Sequence, residues 1–329
     1  MAGLVVAVAA VTAAVVLSHR QTPQNGREAG RAVRLALPLP PKPAPAPVIE
    51  PPPLAAPVAR PAVGAAVVAP PSAASVSPPP PDLPAWKKFA VAAPPVLGRP
   101  VIAVVIDDMG LDRRRSARAA ALPGPLTLSW LPYAPDVGRQ AAAARASGHE
   151  VLVHVPMQPQ GREDPGPHAL TVDLAPEQIH QRLGADLDLL PDAVGVNNHM
   201  GSRFTRDVRA MLPVAEELKR RGLLFLDSRT AGGSIAASVA REAGVPTVER
   251  DVFLDNEPTV EAVRARLAEV EALARRRGIA IAIGHPHDAT IEALEPWLRS
   301  LGERGFVLIP ISAAVQYRLD RPPPVAARG

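Results

Sequence analysis

The stretch "VIAVVIDDMG", residues 101–110, decides the fold. Six apolar residues lead directly into two adjacent carboxylates, Asp107 and Asp108. Because side chains alternate between the two faces of a strand, apolar residues at every position predict a strand buried on both faces. Two neighbouring negative charges at the end of such a strand require something that compensates them, so the stretch also predicts a polar site at this point.

The rest of the chain from residue 99 onward repeats a strand–helix pattern. Apolar runs such as "HEVLVHV", "GLLFLD" and "IAIAIG" alternate with helix-like stretches, and several units read helix, glycine, strand, as in "KRRG" followed by "LLFLD". Glycine after the last helical turn is typical of a helix end. Seven or eight such units in roughly 220 residues predict one barrel-like α/β domain, with an open doubly wound sheet as the alternative.

Charge and composition argue against nucleic acid as a partner. The formal net charge is +4, but residues 1–100 hold nine Lys/Arg and three Asp/Glu, whereas residues 101–329 hold 27 and 29. The predicted domain is therefore slightly acidic, and aromatic residues, at 3% of the chain, offer few surfaces for base stacking. Neither GxxxxGK[ST] nor GxGxxG follows the first strand, so we expect no nucleotide either.

The N-terminal third predicts a tether. Residues 1–20 have no charged side chain before Arg20, which indicates a membrane anchor or signal segment, with cleavage left open. Residues 21–98 predict a disordered Pro/Ala-rich linker, because 21 of the 41 prolines lie from Pro38 to Pro100 and proline removes backbone donors. The soluble domain is expected at 99–317 and a disordered tail at 318–329. We expect a cell-envelope location on the periplasmic side, anchored or secreted, although arginines after the apolar run would favour the cytoplasmic side.

Polar residues follow several predicted strands at the edge where reactive groups gather in parallel α/β folds. The candidates are Asp107, Asp108, His154, Asn198, His199, Arg203, Asp227, Arg229, His285 and His287. An aspartate with two or three histidines is typical of a catalytic zinc site that keeps one position open, although other divalent ions accept the same ligands. The absence of cysteine excludes thiolate ligands. A cation would offset both carboxylates of the first strand, so one could bind metal while its neighbour acts as a base.

Six motifs taken together carry a family resemblance. In chain order they are "VVIDDMG", "GHEVLVHVPM", "GVNNHMGSRFT", "LFLDSRT", "ERDVFLDN" and "IAIGHPH". Over about residues 99–315 the chain resembles the divergent polysaccharide deacetylases, distant relatives of the NodB-type carbohydrate esterases. The resemblance implies a distorted (β/α)7 barrel. It also implies that Asp107 is the catalytic base, that Asp108 and His154 bind the metal, and that His285 is the catalytic histidine, with His287 as the competing assignment.

Two departures from the NodB-type pattern affect the site. The second metal histidine of that pattern would fall at residue 158, which is Gln158 here, so His199 is the expected replacement ligand. The Arg-Pro-Tyr element is replaced by "NNHMGSR". Substrate contacts are therefore expected from polar residues at the same edge, namely Asn198, Arg203, Asp227 and Arg229.

The resemblance implies hydrolysis of an N- or O-acetyl group on an envelope polysaccharide or acetylated sugar, with a divalent metal, zinc favoured. Asp107 would take a proton from the attacking water and His285 would protonate the leaving amine. The alternative is a catalytically silent, membrane-tethered protein that binds glycan in the envelope. The partners expected are thus a glycan, such as peptidoglycan, and a membrane through residues 1–20.

Overall fold

The computed structural model of the protein describes residues 83–321. All strand pairings within this range are parallel. The strands are β1 (Val101–Met109), β2 (Thr127–Trp130), β3 (Glu150–Met157), β4 (Gly195–Met200), β5 (Leu224–Asp227), β6 (Thr247–Glu249), β7 (Val252–Phe253), β8 (Ile279–Gly284) and β9 (Val307–Leu308). The helices are α1 (Ala85–Lys88), α2 (Arg113–Ala119), α3 (Val137–Ala146), α4 (Pro176–Asp188), α5 (Val208–Arg221), α6 (Ala236–Glu242), α7 (Val260–Arg277), α8 (Asp288–Ser300) and α9 (Ile311–Asp320).

Strand β1 lies in the middle of the sheet, between β2 and β8. Its apolar residues divide by parity between two separate hydrophobic clusters. Ile102, Val104 and Ile106 pack among the helices, whereas Val101, Ala103 and Val105 pack with residues of the other strands inside the sheet's curve. The continuous apolar run therefore reflects burial on both faces, as the sequence predicted.

The two ends of the sheet meet in one short segment, residues 247–253. The strand order is β6-β5-β4-β3-β2-β1-β8-β7, and only Arg250 and Asp251 separate β6 from β7. The Arg250 amide donates to the Asp227 carbonyl of β5 at 3.0 Å, and the Asp251 amide donates to the Ile281 carbonyl of β8 at 2.8 Å. The segment thus pairs first with β5 and then with β8. Counted as one strand, it completes seven positions around a distorted barrel, which confirms the predicted fold against the open doubly wound sheet.

Helix ends follow the predicted chemistry. Helices α5 and α7 stop at Gly222 and Gly278, whose φ angles of 67° and 79° lie in the left-handed region that glycine adopts without strain. At the other end of a helix, the Asp112 carboxylate accepts a hydrogen bond from the Arg115 amide at 3.0 Å and caps α2. The strand C-termini lie at one rim because the strand pairings among residues 83–321 are parallel.

The folded domain includes residues 83–98, which the proline-rich pattern places in the predicted linker of residues 21–98. Trp86 is buried and its amide donates to the Gly222 carbonyl at 2.9 Å. The Val91 amide donates to the buried Glu150 carboxylate at 3.2 Å, so burial of the Trp86 ring and this backbone hydrogen bond hold the proline-containing segment in place.

At the C-terminal end of the domain, α9 continues to Asp320. The predicted anchor at 1–20, residues 21–82 of the linker and residues 322–329 lie outside the described residues. Between residues 83 and 321, the helices are too short or too polar to cross a bilayer.

Candidate metal centre and active site

A cavity of about 440 Å³ opens at the C-terminal rim of the barrel strands. Its lining comes from four strands, β1, β3, β4 and β7, and from the loops after β3, β4, β5 and β8. The lining residues are Asp107, Asp108, His154, Pro159, Gly161, Glu163, Asn198, His199, Met200, Ser202, Ser228, Thr230, Phe253 and His285. The predicted base, the three predicted metal ligands and one predicted catalytic histidine therefore border one cavity.

Asp108, His154 and His199 direct one donor atom each to a common point. The Asp108 Oδ1 atom lies 3.2 Å from His154 Nε2 and 2.9 Å from His199 Nδ1. The two histidine nitrogens are 3.2 Å apart. A tetrahedral zinc ion with ligand distances of about 2.0–2.2 Å separates its ligand atoms by roughly 3.3–3.6 Å. The observed triangle is close to one face of that tetrahedron.

The chemistry of the three donors fits a divalent cation. Asp108 Oδ1 is buried and has no well-directed hydrogen-bond donor among residues 83–321. Burial raises the pKa of Asp108, but the short contacts with His154 and His199 and the positive charges of these two rings outweigh it and hold the pKa below its ordinary value. An ionised carboxylate whose buried Oδ1 atom lacks a well-directed donor among residues 83–321 and lies beside two imidazoles is the environment that a bound cation would complete.

Both carboxylates of the first strand reach this cavity because β1 breaks its alternation. Asp107 follows Val101, Ala103 and Val105 on the inner face, so regular alternation would direct Asp108 toward the helices. The register of β1 against β2 shifts between Ile106 and Met109, and Asp108 has a φ of 53°. Irregularities of this kind redirect a side chain and occur beside active sites. The distortion therefore places two neighbouring side chains around one site.

Asp107 is set deeper than the metal-ligand triangle. Its side chain is almost fully buried, and its Oδ1 accepts a hydrogen bond from Asn197 Nδ2 at 2.8 Å. Its Oδ2 lies 3.7 Å from His154 Nε2. Burial raises the pKa of Asp107, and the charges of His154 and His285 only partly offset this effect. A carboxylate with a raised pKa next to a cation site has the proton affinity that a general base needs.

His285 is oriented by Asp255, a residue outside the set of sequence-predicted candidates. His285 Nδ1 lies 3.0 Å from Asp255 Oδ1, and the Thr290 hydroxyl donates to Asp255 Oδ2 at 2.8 Å. Burial lowers the pKa of His285, but the hydrogen bond and charge of Asp255 outweigh it and raise the pKa to about 9. The free Nε2 atom lies 3.7 Å from Asp108 Oδ2 and faces the metal-ligand triangle.

The signal for Asp255 was present in the motif "ERDVFLDN". Asp255 follows the second half of the segment that closes the barrel, two residues after β7 ends at Phe253. Its position beside β8, the strand that carries His285, depends on that closure. The motif showed a polar strand end, but only the closure shows which of its acidic residues faces a histidine.

His287 is exposed at the residue before α8 and is absent from the cavity lining. Donor atoms of Asp255, His285 and His287 do lie within 4.8 Å of one another. However, Asp255 and His285 already bond to each other, and His285 directs its second nitrogen toward the first site. The geometry therefore favours His285 over His287 as the histidine that meets substrate.

Of the four residues predicted to bind substrate, only Asn198 lines the cavity. Its side-chain amide already makes hydrogen bonds within the protein. It accepts from the Ser228 amide at 2.9 Å and donates to the Met200 carbonyl at 2.7 Å. Arg203 and Arg229 are exposed outside the lining. The Asp227 carboxylate accepts from the Arg229 amide at 2.8 Å and from the Ser234 hydroxyl at 2.7 Å, so it organises the loop after β5.

Gln158 has a structural position rather than a ligand position. Its Oε1 accepts a hydrogen bond from the Val172 amide at 3.0 Å, and its backbone carbonyl accepts from the Arg203 and Phe204 amides. It thus fixes the loop after β3. His199 reaches the triangle from the adjacent strand, where Pro156 of β3 pairs with His199 of β4.

Comparisons with known proteins agree with the family resemblance and with the fold. The sequence model of a family described as divergent polysaccharide deacetylase matches residues 104–315. The uncharacterized protein YibQ of Escherichia coli (strain K12) is 36% identical over 212 residues, which are 64% of this chain and 66% of YibQ. An uncharacterized protein of Haemophilus influenzae is 37% identical over 205 residues, 61% of this chain and 72% of the relative. The crystal structure of the uncharacterized protein ATU2773 from Agrobacterium tumefaciens C58 has a TM-score of 0.69 at 30% identity, covering 70% of this chain and 95% of that one.

Proposed function

The chain belongs to the divergent polysaccharide deacetylase family, and on that premise we propose that it is a metal-dependent hydrolase of acetylated glycans. It removes acetyl groups, bound through nitrogen or oxygen, from an envelope polysaccharide or a smaller acetylated sugar. The observation that carries this proposal is the convergence of Asp108, His154 and His199 within 3.2 Å of one another, beside Asp107 and His285. A triangle of three ligands with a carboxylate base and a histidine acid beside it fits hydrolysis of an acyl group.

Asp108, His154 and His199 would hold the cation. A divalent ion bound there, with zinc favoured by the Asp/His/His donor set, supplies Lewis acidity that polarises the acetyl carbonyl and acidifies water. The buried Asp107 carboxylate accepts the proton of the attacking water. Its hydrogen bond from Asn197 leaves Oδ2 directed toward the cavity side of His154.

His285 completes the reaction as the proton donor. Water adds to the acetyl carbon, the bond from that carbon to the sugar nitrogen or oxygen breaks, and His285 Nε2 protonates the departing atom. Because its pKa is about 9, His285 is protonated at neutral pH and ready to donate. The cavity volume of about 440 Å³ is within the usual range for a small-molecule site and fits one acetylated sugar unit at a time.

The place of action that we propose is the cell envelope, on the periplasmic side. Support comes from the sequence alone, since the apolar residues 1–20 and the proline-rich linker are suited to anchoring or exporting a domain that acts on a glycan outside the cytoplasm. Separation of cells into cytoplasmic and envelope fractions tests this, and recovery of the full chain in the cytoplasm would contradict it.

The proposed function is tested on the purified full chain by metal analysis and acetate release. We expect close to one divalent ion per chain. We also expect acetate to be released from acetylated chito-oligosaccharides or peptidoglycan, to stop after chelation and to resume when zinc is returned. A metal-loaded chain that binds these glycans but releases no acetate would instead support the silent glycan-binding alternative.

The alkaline limit of activity should depend on Asp255. A proton donor is lost above its pKa, so kcat/KM should fall as the pH rises through about 9. Asp255→Asn removes the main cause of the raised pKa, and we expect the alkaline limb to move to lower pH by at least about one unit.

The control is Asp288→Asn, because the Asp288 carboxylate is close in sequence to His285 but pairs with Arg115 and Arg118. The control should keep the wild-type profile. An unchanged alkaline limb in the Asp255→Asn chain would contradict the assignment of His285 as the acid.

A further inference from the structure

Asn197 is a fully buried amide at the centre of the site, although it does not line the cavity. It lies in β4, opposite His154 in the register of β3 against β4. Its Nδ2 donates to Asp107 Oδ1 at 2.8 Å and to Ser228 Oγ at 3.1 Å. Its Oδ1 accepts from the Ser129 hydroxyl and from His154 Nδ1, the latter at 2.9 Å. One side chain therefore touches both the base and a metal ligand.

The amide oxygen determines which nitrogen of His154 can bind a cation. An amide oxygen only accepts hydrogen bonds, so the proton of His154 must lie on Nδ1. The lone pair is then on Nε2, the atom that faces Asp108 Oδ1 and His199 Nδ1. A ligand histidine whose second nitrogen is fixed by a hydrogen bond has its tautomer and ring orientation set before the metal binds.

The amide nitrogen of Asn197 acts on Asp107 instead. It occupies Oδ1 of the carboxylate, so that Oδ2 remains as the proton acceptor. The orientation of the amide follows from its surroundings, because the reverse orientation would place the amide oxygen against the Asp107 carboxylate. Both hydrogens and both acceptor positions of the amide are in use, which leaves Asn197 no freedom to turn.

We infer that Asn197 is the positioning residue that couples the base Asp107 to the metal ligand His154, a role that rests on the proposed hydrolase function. Its oxygen acts on metal affinity through His154, and its nitrogen acts on proton transfer through Asp107. The two roles lie on different atoms of one amide, so substitutions can separate them.

Two variants of the full chain separate the roles. Asn197→Leu keeps the approximate volume and removes both contacts, so zinc affinity should fall about 10- to 100-fold and acetate release should fall with it. Asn197→Asp keeps an acceptor for His154 but faces Asp107 with a second carboxylate oxygen. Zinc affinity should then stay within about threefold of wild type or rise, while kcat at saturating zinc falls about 100-fold or more.

Zinc affinity is measured on the metal-free chain by competition with a chromogenic chelator, and circular dichroism verifies folding. The control is Gln178→Glu, the same amide-to-carboxylate change in α4, where the Gln178 side chain accepts a hydrogen bond from the Ala175 amide at 3.0 Å and lies outside the cavity lining. Its zinc affinity should stay within about twofold of wild type, since this side chain touches neither the base nor a ligand.

Each outcome has a definite meaning. Wild-type zinc affinity in a folded Asn197→Leu chain would overturn the positioning role while leaving the proposed hydrolase intact. If that variant does not fold, Asn197→Asp carries the test, and wild-type kcat in it would overturn the inference. A wild-type chain that binds no divalent ion would overturn the proposed function itself and this inference with it.

Discussion

Replacement of Asp107 by asparagine is expected to lower kcat for acetate release by a factor of about 10²–10⁴ while metal content stays at the wild-type level. The amide cannot take a proton from water, but its oxygen can still accept the hydrogen bond that Asn197 donates to Asp107 Oδ1. The fold and the three-ligand triangle should therefore persist. Initial rates of acetate release, measured with metal content on the same preparation, provide the check.

A matched control for this substitution is Asp186→Asn. Asp186 is also a buried carboxylate whose pKa burial raises, here to about 7, but it lies in α4 and away from the cavity. The control should retain wild-type kcat, which separates loss of a buried charge from loss of the base. If Asp107→Asn kept wild-type kcat, another group would have to accept the proton.

Replacement of His199 by alanine is expected to reduce zinc affinity by more than about 100-fold and to abolish activity at micromolar zinc. His199 supplies one of only three donor atoms in the triangle, so its loss leaves two protein ligands. Gln158 cannot replace His199 as a ligand, because its Oε1 accepts a hydrogen bond from the Val172 amide. Metal content after dialysis against a fixed zinc concentration measures the effect.

His180→Ala is the control for a lost imidazole. His180 lies in α4, where its nitrogens are within 4 Å of Glu216 and Glu217 and distant from the cavity lining. Zinc affinity should be unchanged in this variant. If the His199→Ala chain kept wild-type zinc affinity, His199 would not be a ligand. Another residue would then have to replace the histidine that the NodB-type pattern has at the position of Gln158.

The sequence predicted which three side chains meet at the rim, because strand ends are local features. Asp108, His154 and His199 each lie in or at the end of an apolar run, and parallel strands bring such ends to one rim. Their donor atoms lie within 3.2 Å of one another in the structure. Their role as ligands stays a prediction that the metal measurements test.

The substrate contacts were less predictable because loop side chains follow no simple periodicity. Arg203 and Arg229 come just after strands but are exposed outside the cavity, and Arg229 has a φ of 49° that alters the path of its loop. Asp227 bonds to its own loop instead of facing the cavity. Position after a strand therefore indicates the rim but not the direction in which a side chain points.

The sequence by itself determined the parallel α/β architecture, the two-sided burial of β1 and the rim that carries the site, since all three depend on periodicities of a few residues. Tertiary structure alone decided the rest. The irregular turn of β1 at Asp108 brings two adjacent carboxylates to one cavity, and closure of the barrel by residues 247–253 sets Asp255 behind His285. Because β4 is buried on both faces, the sequence also did not show that Asn197 rather than Asn198 bonds to Asp107 and His154. Such choices depend on contacts between residues distant in sequence, which no local pattern records.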